Sequence, residues 1–105
     1  MFTDGVADLC DAVRDLHTAT ERDFADYDAR PRIEPAVDYP YMVQVLHTRH
    51  EELQRLWTRF GEVLTRAQTA GDEEALRILE GVKESIGHCA DNIQDYEQFI
   101  PIPQP

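Results

Sequence analysis

The sequence predicts an all-α protein, a three-helix bundle built on a long antiparallel helical hairpin that could dimerise into a larger bundle. Along two long segments, apolar residues recur at steps of three and four, as they do on one face of an α-helix. Only residues 69–72 separate these segments, which is a short connection typical of adjacent helices. A third segment with the same pattern begins near the N-terminus. The 105 residues suffice for a single helical domain, 1–105, with one modest core.

The first helix is expected over residues 4–28. Thr3 or Asp4 is placed to cap it, because a short side-chain oxygen accepts hydrogen bonds from the free backbone N–H groups of the first turn. The stripe that would face the core consists of Val6, Leu9, Cys10, Val13, Leu16, Phe24 and Tyr27. The first helix therefore has one apolar face along most of its length.

A proline-rich linker is expected over residues 29–40. It contains Pro31, Pro35 and Pro40, and proline removes a backbone hydrogen bond and clashes with the preceding turn inside a helix. The second helix then covers residues 41–70. Its predicted apolar stripe consists of Val43, Leu46, His50, Leu53, Trp57, Phe60, Leu64 and Ala67.

The third helix is expected over residues 73–99. Gly71 suits the left-handed position that ends a helix, and Asp72 suits the N-cap of the next one. The predicted stripe of this helix consists of Leu79, Val82, Ile86, Cys89, Ile93, Tyr96 and Ile100. In the tail, residues 100–105, every second residue is proline, which predicts an extended polyproline-like segment.

The chain is strongly acidic, with 21 Asp and Glu against 10 Lys and Arg and a net charge of −11. This balance argues against direct binding to a nucleic-acid backbone or to an anionic membrane, because both need clusters of basic side chains. It fits a basic protein partner, a bound cation or simple solubility.

Cys10 and Cys89 are the only two cysteines, and both fall on or beside an apolar stripe. We expect them to be buried free thiols, as is usual in a reducing compartment. No segment approaches the ~18 apolar residues of a membrane span, and no basic segment precedes an apolar run at the N-terminus. These features predict a cytoplasmic protein.

Histidines and carboxylates give one alternative function, a metal-binding helical bundle with a storage, sensing or redox role. Helical spacing puts His17 beside Glu21 and His47 beside Glu51, and pairs of this kind on facing helices build metal sites. At 100° per residue, His17 and His50 fall within the buried sector, and His47 falls outside it. The candidate ligands for a transition metal such as Fe or Zn are His17, Glu21, His50, His47 and Asp91. The competing interpretation is that these histidines only bind neighbouring carboxylates.

One end of the predicted bundle is rich in aromatic residues. The proline-rich linker meets the end of the third helix there, which brings together Tyr39, Tyr41, Tyr96, Phe99 and Ile100. An apolar cluster of this kind is a candidate contact surface for another protein. In the alternative arrangement, the linker and the tail fold over the cluster and cover it.

A homodimer is expected from two further apolar residues. Leu56 and Val63 lie off the predicted stripe of the second helix, on a face that a second copy of the chain could bury.

The leading functional hypothesis is a small acidic, non-enzymatic protein-interaction module: an adaptor, an inhibitor or an assembly subunit. The sequence contains no glycine-rich phosphate loop and no GxSxG motif, and neither cysteine has a basic neighbour that would favour a thiolate. These absences lower the expectation of an enzyme without removing it.

Overall fold

The computed structural model describes residues 3–29 and 34–100. It contains three helices, α1 (Val6–Asp28), α2 (Pro35–Ala70) and α3 (Glu73–Glu97), and each helix packs against both others. The bundle is elongated, with extents of 53 × 30 × 16 Å. Within the described residues there is no strand, so the prediction of an all-α three-helix bundle is confirmed.

α1 begins at Val6, after Gly5, and the predicted caps do not form. Gly5 has a left-handed backbone with φ of 95°, and no side chain caps the helix. A Cβ atom at this position would lie 3.0 Å from Val63 on α2, so both the backbone angle and the space favour glycine. The hydroxyl and backbone N–H of Thr3 instead donate hydrogen bonds to Asp72, each of 2.9 Å.

α2 begins at Pro35, so the prediction of a linker reaching residue 40 was wrong. Pro35 occupies the first turn, where its missing N–H group is not needed. Pro40 lies inside the helix, in its second turn. There its ring deprives only the Ala36 carbonyl of an intrahelical partner, and exposed Ala36 leaves that carbonyl near water. Pro31 lies outside the described residues.

The turn between α2 and α3 follows the sequence prediction. Gly71 has a left-handed backbone with φ of 65°, and the N–H of Asp72 donates a hydrogen bond of 3.0 Å to the Ala67 carbonyl. Asp72 caps α3 by accepting a hydrogen bond of 3.1 Å from the N–H of Ala75. This bond, with those from Thr3, holds the pKa of the Asp72 carboxyl below its usual value. α3 ends at Glu97, two residues earlier than predicted.

Two clusters of buried side chains form the core. The larger contains Val6, Leu9, Val13, Leu16, Leu56, Phe60, Val63, Ala67, Ala75, Leu79, Val82, Ile86 and Cys89. The smaller, at the end where α1 and α3 finish, contains Met42, Leu46, Ile93, Tyr96 and Ile100. Every residue of the predicted α3 stripe is therefore buried.

The predicted stripe of α2 was partly wrong. Val43 and Trp57 are exposed, at 46% and 38%, whereas Leu56 and Val63 are buried within the bundle, at 4% and 5%. α2 packs against two helices at once, and its contact with α1 turns the buried face toward Leu56 and Val63. Other helices of the same chain already bury these two residues, so a second copy is not needed to cover them, as the sequence had suggested.

A polar contact ties α1 to α2 beside the smaller core cluster. The Arg49 guanidinium donates hydrogen bonds of 2.7 and 3.3 Å to the two oxygens of Asp23, and one of 3.0 Å to Glu52. The bond to Asp23 raises the pKa of Arg49 above its ordinary value. The sequence prediction gave Arg49 no role.

The two thiols should differ in reactivity. Cys89 is fully buried, and its burial raises the pKa of the thiol, whereas Cys10 is half-buried. Because the thiolate is the reactive form, Cys89 should stay protonated and unreactive at neutral pH. We expect an aromatic disulfide reagent to modify about one thiol per chain in the native protein and both in denaturant. The Cys10→Ser variant should then show almost no native reaction, and rapid modification of both native thiols would contradict this burial.

None of the helices in the described ranges, 3–29 and 34–100, is both long enough and apolar enough to cross a membrane.

Candidate functional site

The predicted histidine–carboxylate pairs form, but on the surface. His17 Nε2 lies 3.0 Å from Glu21 Oε1, and the two side chains are 47% and 66% exposed. His47 Nε2 lies 3.0 Å from Glu51 Oε1 and is still more exposed. Each pair belongs to a single helix, so it is an ordinary i, i+4 surface contact. The placement of His17 and His50 in the buried sector was wrong, because both residues are exposed.

The candidate metal ligands do not converge. His50 is exposed because it lies on the same side of α2 as exposed Val43 and Trp57, and Asp91 is exposed on α3. In the part of the chain that the structure describes, no three His, Cys, Asp or Glu side chains are close enough to hold a metal ion. The geometry thus does not assemble a site from His17, Glu21, His50, His47 and Asp91.

The predicted aromatic surface divides into a buried part and an exposed part. Tyr96 and Ile100 are buried, at 6% and 3%, and belong to the smaller core cluster, while Tyr39 is half-buried. Tyr41 and Phe99 remain 51% and 42% exposed. Of the five predicted residues, Tyr41 and Phe99 are therefore the exposed ones.

Two residues that were not predicted at this end, half-buried Tyr27 and exposed Val37, also belong to it. The ring of Tyr27 stacks on Phe99 with 4.7 Å between centroids, and Tyr27 and Tyr41 line the same narrow groove. Val37, in the first turn of α2, is 67% exposed. We call the surface formed by Tyr27, Val37, Tyr41 and Phe99 the apolar end. Tyr27 was assigned only to the core stripe of α1, although its place in the last turn of that helix puts it at this end.

Aromatic contacts with α1 hold the apolar end in place. Phe24, half-buried on α1, forms T-shaped pairs with Phe99 and Tyr96, with centroid distances of 5.9 and 5.7 Å. Edge-to-face pairs of this kind add about 0.5–1.5 kcal/mol beyond the burial of the rings. Phe99 is thus held in place from below by two α1 side chains while its outer part stays in solvent.

Acidic side chains surround the apolar end. Asp26 and Asp28 are exposed in the last turn of α1, Asp95 is exposed on α3, and Asp38 lies in the first turn of α2. Neither α1 nor α3 has a basic residue in its last turn. The described surface at this end is therefore an apolar centre with a negatively charged border.

Comparisons with known proteins add no family to this geometry: no protein-family model, no curated protein and no solved structure matches the chain.

Proposed function

We propose that this protein is a small acidic, non-enzymatic protein-interaction module, an adaptor, inhibitor or assembly subunit, whose apolar end binds a partner protein. The observation that carries the proposal is the exposure of Tyr41, Phe99 and Val37 at one end of the bundle. Exposed aromatic side chains on a preformed surface are typical centres of protein–protein interfaces. We further propose that the partner presents basic residues.

Affinity and partner selection come from different parts of this surface. The aromatic rings lose water when a partner covers them, and a few such residues supply most of the binding energy in an interface. The acidic border, with Asp26, Asp28 and Asp95, attracts a basic partner and repels acidic ones. The charge therefore speeds the encounter, and the rings hold the complex together.

The perturbed ionisable groups support a non-enzymatic role. Catalytic groups often have shifted pKa values that cluster in a cleft. Arg49, Asp72 and Cys89 have shifted pKa values, and they serve an interhelix contact, a helix cap and the core. Each shift therefore has a structural cause.

We also propose a cytoplasmic location, which the unpaired thiols of Cys10 and Cys89 support.

Replacing Phe99 with alanine should weaken partner binding by about 1.5–3 kcal/mol, or roughly tenfold or more, because it removes a ring at the centre of the surface. Tyr41→Ala should act in the same direction. The measurement is affinity capture from the source cells with wild-type and variant baits, followed by titration of the captured protein. Single replacements are preferable to deleting residues 100–105, because buried Ile100 belongs to the core.

Trp57→Ala provides the matched control. Trp57 is 38% exposed, like Phe99 at 42%, but it lies in the middle of α2, away from the apolar end. The Trp57→Ala variant should leave partner binding unchanged. If Phe99→Ala and Tyr41→Ala bind like the wild type while neutralising Asp26 and Asp28 abolishes binding, the acidic surface is the interface and the apolar end is not.

A further inference from the structure

Charge is distributed unevenly among the three helices. By their sequences, α1 and α3 each carry seven acidic and two basic residues. α2 carries four of each, and all four of its basic residues are arginines. The side of the bundle formed by α1 and α2 therefore joins a mainly acidic helix, which we call the α1 wall, to a helix with as many arginines as acids, the α2 wall.

An open groove of about 420 Å³ runs between these two walls. Its lining residues are Ala12, Asp15, Leu16 and Ala19 from α1, and Arg49, Glu52, Arg55, Leu56 and Arg59 from α2. Leu16 and Leu56 are buried and belong to the larger core cluster, so they form an apolar floor. Ala12 and Ala19 are half-buried, and their small side chains leave room for an approaching backbone. We call this surface the α1–α2 face.

The charges on the two walls do not neutralise each other within the chain. Asp15 and Arg59 line the same groove, yet neither forms an ion pair with any other described residue. Arg55 reaches only Glu51 of its own helix, at 3.9 Å, with its side chain 74% exposed. Arg49, in contrast, is held by Asp23 and Glu52. Asp15, Arg55 and Arg59 therefore remain available to a second molecule.

We propose that the α1–α2 face is a homodimer interface in which α1 of each copy lies over α2 of the other. In this dimer a twofold axis lies in the interface and runs parallel to the helices. Rotation about this axis places α1 of each copy opposite α2 of the other and leaves every residue at its own level along the bundle. Asp15 lines the groove at the level of Arg55 and Arg59, so the partner's Asp15 meets both arginines. This face is thus complementary to itself, as an interface between identical subunits must be.

The size of the face suits a modest dimer. α1 has 23 residues and is therefore about 35 Å long. Two helices side by side are about 20 Å wide, which gives about 700 Å² per subunit, near the ~800 Å² of a standard interface. Exposed ion pairs contribute at most about 1 kcal/mol each, so contact through Ala12 and Ala19 supplies part of the affinity. The dimer should weaken at high salt.

Charge reversal gives a specific test. One variant, Arg55→Glu with Arg59→Glu, makes both walls acidic. The other, Asp8→Arg with Asp15→Arg, makes both walls basic, since Asp8 lies two turns before Asp15 on the same side of α1. By sedimentation equilibrium at low salt, the wild type should be a dimer and each variant alone a monomer. A 1:1 mixture of the two variants should recover a heterodimer, because acidic walls then face basic walls.

Matched controls carry the same charge changes on α3. Arg77→Glu with Lys83→Glu and Glu74→Arg with Asp95→Arg, all at exposed positions, should dimerise like the wild type. Circular dichroism of all four variants checks that they remain helical. The proposal is overturned if the wild type is a monomer, if the mixed variants stay monomeric, or if the α3 controls disrupt the dimer equally. Phe99→Ala should leave the dimer intact, which separates this result from any failure of partner binding at the apolar end.

Discussion

Replacing Leu56 with alanine should lower the free energy of unfolding by about 2–5 kcal/mol. Leu56 is only 4% exposed and packs in the larger core cluster between α1 and α2. The substitution removes three carbons and leaves a cavity that three long helices cannot easily close. Thermal or urea unfolding followed by circular dichroism measures the loss.

Val43→Ala is the matched control on the same helix. Val43 belongs to the stripe predicted from the sequence, but it is 46% exposed, so its replacement should change stability by about 0.5 kcal/mol or less. The two variants should also be compared at low and high protein concentration. If Leu56 were buried mainly by a second copy, as the sequence suggested, the loss of stability would depend on protein concentration. A constant loss supports burial within one chain, and a larger effect at Val43 would contradict the observed core.

The contrast between α2 and α3 explains how far periodicity predicts a core. α3 has one apolar face, so Leu79, Ile86 and Ile93 could be assigned to the core from spacing alone. α2 has apolar residues on more than one side, with Val43 and Trp57 at heptad spacing and Leu56 and Val63 at another. Both sets satisfy the helical period. The position of α1 decides between them, and spacing within one helix does not contain that information.

Helix ends likewise include some features that the local sequence predicts and others that it does not. Gly71 and Asp72 act through local backbone geometry, so the sequence predicted their roles correctly. At the start of α1, Thr3 instead donates to Asp72, and a Cβ atom at Gly5 would crowd Val63; both Asp72 and Val63 are distant in the chain. Pro40 was misjudged because a proline near a helix start loses only one hydrogen bond, and a solvated carbonyl tolerates that loss.

Whether the aromatic end is a contact surface stays a prediction, but the structure does divide its residues into buried and exposed ones. Linker prolines and aromatic residues indicated this end of the bundle from the sequence. Spacing could not show that Tyr96 and Ile100 turn inward while Tyr41 and Phe99 stay exposed, because this depends on where the α1 residues Phe24 and Tyr27 lie. The metal hypothesis, in contrast, depended on an arrangement of several helices that spacing cannot predict. Its i, i+4 pairs formed as predicted, but convergence of several helices on one point cannot be inferred from pairs within single helices.

Removing the carboxylate of Asp23 should also be costly. Asp23→Ala should lower the free energy of unfolding by about 1.5–3 kcal/mol, the range of hydrogen bonds to charged groups. The Asp23 and Arg49 side chains are only 12% and 21% exposed, so water replaces the lost bonds poorly. Glu52 still binds Arg49 at 3.0 Å, which keeps the loss below the ~3–5 kcal/mol of a fully buried pair. Urea unfolding measures the change, and Glu51→Ala, which removes an exposed contact to Arg55, should cost about 0.5 kcal/mol or less.

A double-mutant cycle isolates the contact itself. Arg49→Met keeps most of the aliphatic stem and removes the charge, so with Asp23→Ala and the double variant it completes the cycle. We expect a coupling free energy of about 1–2 kcal/mol between the two residues, since they are in direct contact. Part of that coupling should persist in about 1 M salt, because a half-buried pair is screened less than an exposed one. A coupling near zero would mean that α1 and α2 are held together by apolar packing alone, with the bidentate contact of Arg49 contributing orientation but no net stability.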